Sequence, residues 1–402
     1  MIITILLFIG SPSSTMTSQQ TQHRESRCSL RNLVLYFLKL GSIGFGGPIA
    51  LVGYMEKDLV EERAWLTREE YLRGLALSQL APGPLAAQLA MYIGYIRFGF
   101  VGATCVGCMF VLPSFVMVVL LGILYAAYGG LEWMRAMFYG VGAAVIGIIV
   151  KSAYRLAKVT LKNKRLLWMI FVVMGVVTAY TQQESIWLFF LCGLVAMIFM
   201  APPKFLLRGA RLFVPPGFIL LMQLPNLTQS PGVLDIFLFF AKASVFVFGS
   251  GLAIVPFLYG STVQQYHWLT EQQFIDAVAV AMITPGPVVI TVGFIGYIVG
   301  ALPGAMAAAL GVFLPVYLVV VLLTPFYERF AHNSHVDAFV QGVTAAASGA
   351  IAGAVVILGR RAITDFTTAM LAISALAVLV RFKTPEPIIV LVAAIAGLLL
   401  FH

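Results

Sequence analysis

Ser78-Gln79-Leu80-Ala81-Pro82-Gly83-Pro84 interrupts an otherwise apolar run, and a near copy, Ala281-Met282-Ile283-Thr284-Pro285-Gly286-Pro287, follows 203 residues later (Pro82 to Pro285). Each Pro lacks an N–H and clashes with the preceding turn, while the Gly between them tolerates unusual backbone angles. Pro-Gly-Pro therefore breaks a helix and frees backbone polar groups. In hydrocarbon those groups need protein, water or a ligand as partners. A broken helix used twice predicts a binding site at a repeat interface.

The surrounding sequence fixes the class. Of 402 residues, 61% are hydrophobic and only 10% charged, with a mean hydropathy of +0.98, so the chain is an all-α polytopic membrane protein. A β-barrel would alternate apolar and polar residues in short strands, whereas these runs are long and unbroken. The net charge of +9 sits at the ends of apolar runs, where it orients helices rather than binding nucleic acid. Cys105 and Cys108 form a C-x-x-C inside an apolar run with no second ligand pair, and the His residues show no metal spacing. No metal or cofactor is expected. Met1–Gly10 is apolar but lacks a basic flank, so residues 1–30 read as a disordered leader, with Met16 an alternative start.

Arg24, Arg27 and Arg31 place the beginning of the first apolar run in the cytoplasm. That run is broken at Gly44-Phe45-Gly46-Gly47-Pro48 and ends in the charged loop Glu56–Arg63. Thr67-Arg68-Glu69-Glu70 then reads as a capping box opening the next helix. Further spans are expected near 99–127, 131–152, 166–181 and 185–201, with basic residues from Lys151 to Arg165 between them. The Pro-rich stretch 202–231 reads as a linker, although Phe213–Leu224 is apolar enough for a short crossing. The second half offers runs near 233–259, 272–298, 300–325, 336–358, 362–380 and 386–401. The organisation is thus a first repeat over 31–201, a linker over 202–231 and a second repeat over 232–402.

The same shift of 203 aligns Lys39 with Lys242, Phe45-Gly46 with Phe248-Gly249, and Trp65-Leu66-Thr67 with Trp268-Leu269-Thr270. After a one-residue deletion, Gly94-Tyr95 meets Gly296-Tyr297 and Pro113 meets Pro315. Ordered Gly, Pro and Trp matches do not arise from shared apolar composition, so the chain is duplicated. Six runs per half would return the chain to its starting face and give parallel halves. A crossing at Phe213–Leu224, or one re-entrant run, would invert them. The charges conflict, because Arg360 and Arg361 favour one orientation and Arg329, Arg381 and Lys383 the other.

Phe45-Gly46-Gly47-Pro48, Trp65-Leu66-Thr67 and Pro82-Gly83-Pro84, repeated in the second half, resemble the long, two-domain members of the chromate ion transporter family. The second half departs from the pattern, with Phe248-Gly249-Ser250-Gly251 in place of Phe-Gly-Gly-Pro. The resemblance implies inverted halves and a multi-pass transporter of the cell inner membrane. Its expected activity is export of chromate, an oxyanion shaped and charged like sulfate. Expected partners are that small oxyanion, the lipid bilayer and a second copy of the chain as a homodimer.

An oxyanion in hydrocarbon needs positive potential and N–H donors, which half-helix N-termini supply. The candidate binding residues are therefore Phe45, Gly46, Gly47, Pro48, Pro82, Gly83 and Pro84, with Phe248, Gly249, Ser250, Gly251, Pro285, Gly286 and Pro287. The competing reading is close helix crossing at small residues. Lys39 and Lys242, repeat-equivalent and inside apolar runs, are candidate cations for the anion, against simple snorkelling. Ser78, Gln79, Gln88, Thr284 and Thr291 flank the breaks and either bind oxyanion oxygens or satisfy freed backbone. Arg73 and Asp276 occupy equivalent positions with opposite charge, so they are candidates for an ion pair across the pseudo-symmetry axis, or Asp276 for proton coupling. A passive channel and an intramembrane enzyme are the alternatives. An enzyme would show paired His or Asp-rich motifs inside the spans, and no nucleotide-binding G-x-x-x-x-G-K-[ST] occurs, so the chain reads as a secondary transporter.

Overall fold

The computed structural model describes residues 28–45, 47–128, 132–161, 164–181, 186–201, 231–244, 247, 251–326, 333–382 and 384–400. Among them are fourteen α-helices and no strand. The first half contains α1 (Leu30–Ile43), α2 (Gly47–Met55), α3 (Arg68–Leu80), α4 (Leu85–Tyr128), α5 (Glu132–Leu161), α6 (Arg165–Thr181) and α7 (Ile186–Met200). The second contains α8 (Val233–Ser244), α9 (Val255–Leu258), α10 (Glu271–Ile283), α11 (Thr291–Leu323), α12 (Ser334–Ala362), α13 (Phe366–Arg381) and α14 (Glu386–Leu400). The leader to residue 27 and nearly all of the 202–231 linker lie outside the described residues, as do Gly46, Phe248, Gly249 and Ser250.

The duplication extends to backbone detail. Thr67 and Glu70 form a capping box at α3, and Thr270 and Gln273 form the same box at α10. Wide π-helical turns occupy Glu56–Glu62 and Tyr259–Gln265, each followed by a residue of positive φ, Ala64 at 49° and His267 at 52°. The backbone leaves helical geometry at Phe98-Gly99 and again at Gly300-Ala301, with matching angles. A shared sequence pattern has therefore kept a shared chain path.

Four of the apolar runs do not cross. Arg97 pairs with Glu70 at 2.7 Å, a Cβ on Gly74 would meet the Tyr92 ring at 2.2 Å, and Gln88 donates to Pro82 O at 2.8 Å. Residues 85–97 therefore run back along α3, and Pro-Gly-Pro is the tip of a re-entrant hairpin. Each leg has 13 residues, about 20 Å of helix against a hydrocarbon core of about 30 Å. Equally, the Tyr36 hydroxyl reaches Tyr54 O at 3.5 Å while Gly44 packs on Leu51, so α2 returns along α1 with Gly44–Gly47 at its tip. In the second half, Phe239 stacks on Phe257 where Tyr36 meets Tyr54. The runs expected across 33–55, 233–259 and 272–298, and the broken helix ending near Arg97, are thus two re-entrant hairpins per half rather than crossings.

Helix α4 is itself two arms. A Cβ on Gly94 would meet Gly102 O at 2.4 Å and one on Gly107 would meet Met91 at 3.0 Å, so 85–97 and 100–128 lie side by side, antiparallel. Gly296 and Gly304 repeat this in α11 at 2.4 Å. Only the second arm is long enough to span. Its midpoint supports the tips, because Gly41 packs on the Phe110 backbone and Phe37 on the Phe110 ring.

The spanning arms also settle orientation. Thr104 meets Tyr317, whereas Gly122 packs on Tyr297 and Val118 on Gly293, so α4 and α11 cross antiparallel. Tyr139 of α5 bonds Asp365 and Gly147 packs on Ala372, making α5 parallel to α13, while Gly140 packs on Gly397 in α14. Reciprocally, Gly349 of α12 packs on Phe171 and Gly353 on Gly175, both in α6. Equivalent helices run oppositely, and the halves are inverted repeats whose fifth to seventh helices interlock. Inversion also resolves the charge conflict. Arg31, Lys151, Arg155, Lys158, Lys164 and Arg381 fall on one face, the cytoplasmic one. The other receives Arg135, Arg360 and Arg361, of which Arg361 is paired with Glu271. Ala201 and Gly232 consequently end on opposite faces.

Glu69 and Gln272 are repeat-equivalent and exposed at hairpin bases. Single cysteines there, in a background free of native cysteine, should react with an impermeant maleimide from opposite faces of the membrane. Labelling of both from one face would exclude the inverted arrangement.

Candidate functional site

Pro at positions 82, 84, 285 and 287 stops each inward leg at the middle of the membrane, where its last carbonyls and the next helix's first N–H groups lack helical partners. The two halves answer this jointly. Gly83 N–H donates to Val247 O at 2.5 Å, and Gly286 N–H donates to Gly44 O at 2.8 Å. Gly44 and Val247 are themselves repeat-equivalent, separated by 203 residues. Each Pro-Gly-Pro tip is therefore bonded to the first-break tip of the opposite half, and the tips converge at mid-depth beside Phe110 and Ser114. Ser114 Oγ donates to Gly41 O at 3.3 Å within this cluster.

The sequence candidates at the breaks that fall among the described residues lie together. Gly83, Pro84, Pro285, Gly286, Pro287 and Gly251 are buried, and Phe45, Gly47, Pro48 and Pro82 are half-buried. Gly251 packs on Val288 and Val289, at the turn following the second Pro-Gly-Pro. The first-turn N–H groups of Leu85, Ala86 and Ala87 precede the first helical bond, which runs from Gln88 N to Pro84 O at 3.0 Å. All three residues are buried, at 7%, 2% and 0% exposure, with no acceptor for these groups among the described residues. The N–H groups of Val288 and Val289 stand at the equivalent turn of the second half. Together they form a mid-membrane cluster of donors with helix N-terminal potential.

The flanking hydroxyls serve the backbone. Ser78 Oγ donates to Gly74 O at 2.8 Å, Thr284 Oγ1 to Val280 O at 3.1 Å, and Thr291 Oγ1 to Val288 O at 2.7 Å. Gln79 is exposed. Lys39 lies on the face of α1 opposite Phe37 and Gly41, one turn before the tip, and is exposed; Lys242 is half-buried at the same place in α8. Neither side chain bonds a tip residue among the described residues.

The ion pair expected between Arg73 and Asp276 does not form. Inversion puts them at hairpin bases on opposite membrane faces, a separation that side chains cannot bridge. Arg73 is exposed and pairs with Glu69 at 2.6 Å. Asp276 is only 3% exposed and accepts the Tyr125 hydroxyl at 2.7 Å and the Gln272 amide at 2.9 Å. Tyr125 escaped the sequence reading because its partner lies 151 residues away, and no local pattern joins them.

This architecture can be set against known proteins. Residues 31–197 and 234–398 each match the chromate transporter family, dividing where the two halves divide. The chain is 54% identical to a chromate transport protein of Cupriavidus metallidurans, with 96% of both chains covered. It is 51% identical to a probable chromate transport protein of Synechococcus elongatus, covering 95% of this chain and 98% of that one. A chromate transport protein of Pseudomonas aeruginosa is 29% identical over 96% of both. No solved structure matches the chain. With both halves matched and the break motifs falling within the matched regions, the chain belongs to the chromate transporter family.

Proposed function

We propose that the protein is a secondary transporter exporting chromate, with sulfate as a related candidate substrate, from the cytoplasm across the cell inner membrane. The observation carrying this reading is the cross-bonding of four hairpin tips from inverted halves. Buried N–H donors at the tips suit an oxyanion, since anions favour helix N-termini and desolvated donors bind them strongly. Hairpins of the first half open towards the cytoplasm and those of the second towards the opposite face. One site at their meeting point therefore has an approach from each side, as alternating access requires.

The moving parts follow from the packing. The hairpins and the spanning arms of α4 and α11 form one unit around the tips. Helices α5–α7 and α12–α14 interlock into a second. Relative motion of the two units would expose the tips to one face and then to the other. Both halves of the site come from one chain, so transport is assigned to a single chain and a homodimer is not needed to complete it. Lys39 and Lys242, each one turn from a tip, supply positive potential along the approach. Asp276, buried among neutral donors, is the group assigned to proton coupling. A passive channel would need a continuous path past the cross-bonded tips.

Everted vesicles carrying the protein should accumulate chromate with saturating kinetics that depend on an imposed proton gradient or membrane potential. Non-saturating flux indifferent to both would establish a channel instead. Lys242→Ala should lower uptake about tenfold at subsaturating chromate, corresponding to about 1.4 kcal/mol of lost attraction. Asp276→Asn should retain binding but lose gradient dependence.

The two Pro-Gly-Pro tips leave no room for a side chain. A Cβ at Gly286 would lie 2.1 Å from Ser114 Oγ, at a φ of +91° that L-residues rarely adopt. Gly286→Ala should therefore cost about 1–3 kcal/mol in stability and stop transport. Adding Ser114→Ala should recover part of the thermal stability, because it removes the clash but not the backbone strain. Full activity of Gly286→Ala alone would show the tip to be remote from the site.

A further inference from the structure

Gln88 stands at the first helical hydrogen bond after the tip, fully buried, with its amide against Gly83. Its orientation is set by the surroundings. Nε2 faces two carbonyl oxygens, Pro82 O at 2.8 Å and Ala81 O at 3.3 Å, and only the NH2 end can satisfy both. The opposite end, Oε1, is sealed from water and has no donor among the described residues. Native structures rarely leave a buried side-chain acceptor empty, so this one calls for a donor that arrives later.

The half-symmetry sharpens the point. The second-half equivalent, Thr291, instead donates its hydroxyl to Val288 O. An amide oxygen with no donor among the described residues thus follows directly on the buried residues Leu85, Ala86 and Ala87. For a fully deprotonated oxyanion this would be a liability, because an acceptor oxygen beside another acceptor is repelled. For an oxyanion carrying one O–H it completes the set: N–H groups for the bare oxygens, Oε1 for the hydroxyl. Chromate carries such a proton near neutral pH, whereas sulfate is a bare dianion there. The charged groups on the surrounding elements are Arg68, Glu69, Glu70 and Arg73 on α3, Arg97 on α4, Arg31 and Lys39 on α1, and Asp235 and Lys242 on α8. None of them bonds Gln88.

Resting on the oxyanion-site reading above, we propose that Gln88 is a specificity-determining residue whose Oε1 accepts a hydrogen bond from the hydroxyl of hydrogen chromate. It would thereby favour the protonated monoanion over dianionic chromate and sulfate. Sites built to bond a ligand hydroxyl discriminate strongly against analogues lacking it, because the buried partner is left unpaired.

The test is equilibrium binding of radiolabelled chromate, and separately of sulfate, to the purified full-length protein in lipid nanodiscs between about pH 6 and pH 8. Above chromate's own pKa its apparent affinity should fall about tenfold per pH unit, following the protonated fraction. Sulfate binding should be weak and show no such slope, which separates substrate protonation from titration of the protein. Gln88→Met, of similar length but without the amide, should flatten the chromate slope and lose most of the chromate-over-sulfate preference. Chromate affinity that is level or rises with pH in the unaltered protein overturns the proposal, even if the variant does not fold. So does a folded Gln88→Met variant that keeps the slope. Absence of chromate binding at every pH would instead overturn the oxyanion site itself.

Discussion

Two backbone hydrogen bonds, Gly83 N–H to Val247 O and Gly286 N–H to Gly44 O, are what the rest of the architecture depends on. A helix broken in hydrocarbon exposes groups that cost several kcal/mol each if left without partners. A hairpin tip from one half alone has too few acceptors nearby. Opposing it with the tip of an inverted copy supplies an acceptor from the chain itself, without filling the space with side chains. The duplication thus answers a local difficulty: two breaks of the same kind, facing one another, satisfy in part what neither could alone. The N–H groups that remain after this exchange are the ones available to an anion.

The same constraint explains where the halves diverge. Positions of closest backbone approach keep their glycines: Gly83 and Gly286 at the tips, with the prolines around them, and within each half the Gly94–Gly102 and Gly296–Gly304 pairs that let two arms touch. Positions that inversion sends to opposite faces are free to change. The cytoplasmic turn Glu56–Glu62 carries Glu56, Lys57, Asp58, Glu61 and Glu62, while its counterpart Tyr259–Gln265 has no charged residue. Arg63 lies over the Trp65 ring, and its equivalent, Tyr266, stacks on Trp268. A cation on an indole and a phenol on an indole hold the same turn, but only the first is suited to the positive face.

Much of this was legible in the sequence because proline, glycine and capping residues act locally. The Pro-Gly-Pro breaks, the break after Gly44, the capping box at Thr67 and the 203-residue repeat are read from local residues, and each lies where it is expected; the second box, at Thr270 and Gln273, follows from the repeat. What was not legible depends on direction. A broken run reads alike whether the chain continues across the membrane or turns back. The turn at Phe98-Gly99 carries no proline, so nothing set it apart from a loop between two spans. Symmetry alone pairs Arg73 with Asp276, but an axis in the membrane plane sends equivalent bases apart. Gln88 reads as one flanking polar group among several, and its unpartnered Oε1 is what distinguishes it from the equally buried Ser78, whose hydroxyl bonds Gly74 O.

Asymmetry within a symmetric frame is what a one-substrate site demands. An exactly duplicated site on a two-fold axis would present each donor and acceptor twice, and would suit a ligand with matching symmetry. A tetrahedral oxyanion carrying one proton lacks it, because three of its oxygens accept and the fourth donates. The inverted repeat supplies the donors in duplicate, from first-turn N–H groups that no side-chain substitution can easily remove. Side chains then carry the difference between the halves: Gln88 with an unpartnered amide oxygen against Thr291 with a hydroxyl that donates to Val288 O, and Ser114 against Val316 beside the facing glycines. At the proposed site the backbone would therefore set the class of ligand, a small oxyanion. The few residues that break the symmetry are the ones placed to choose among members of that class.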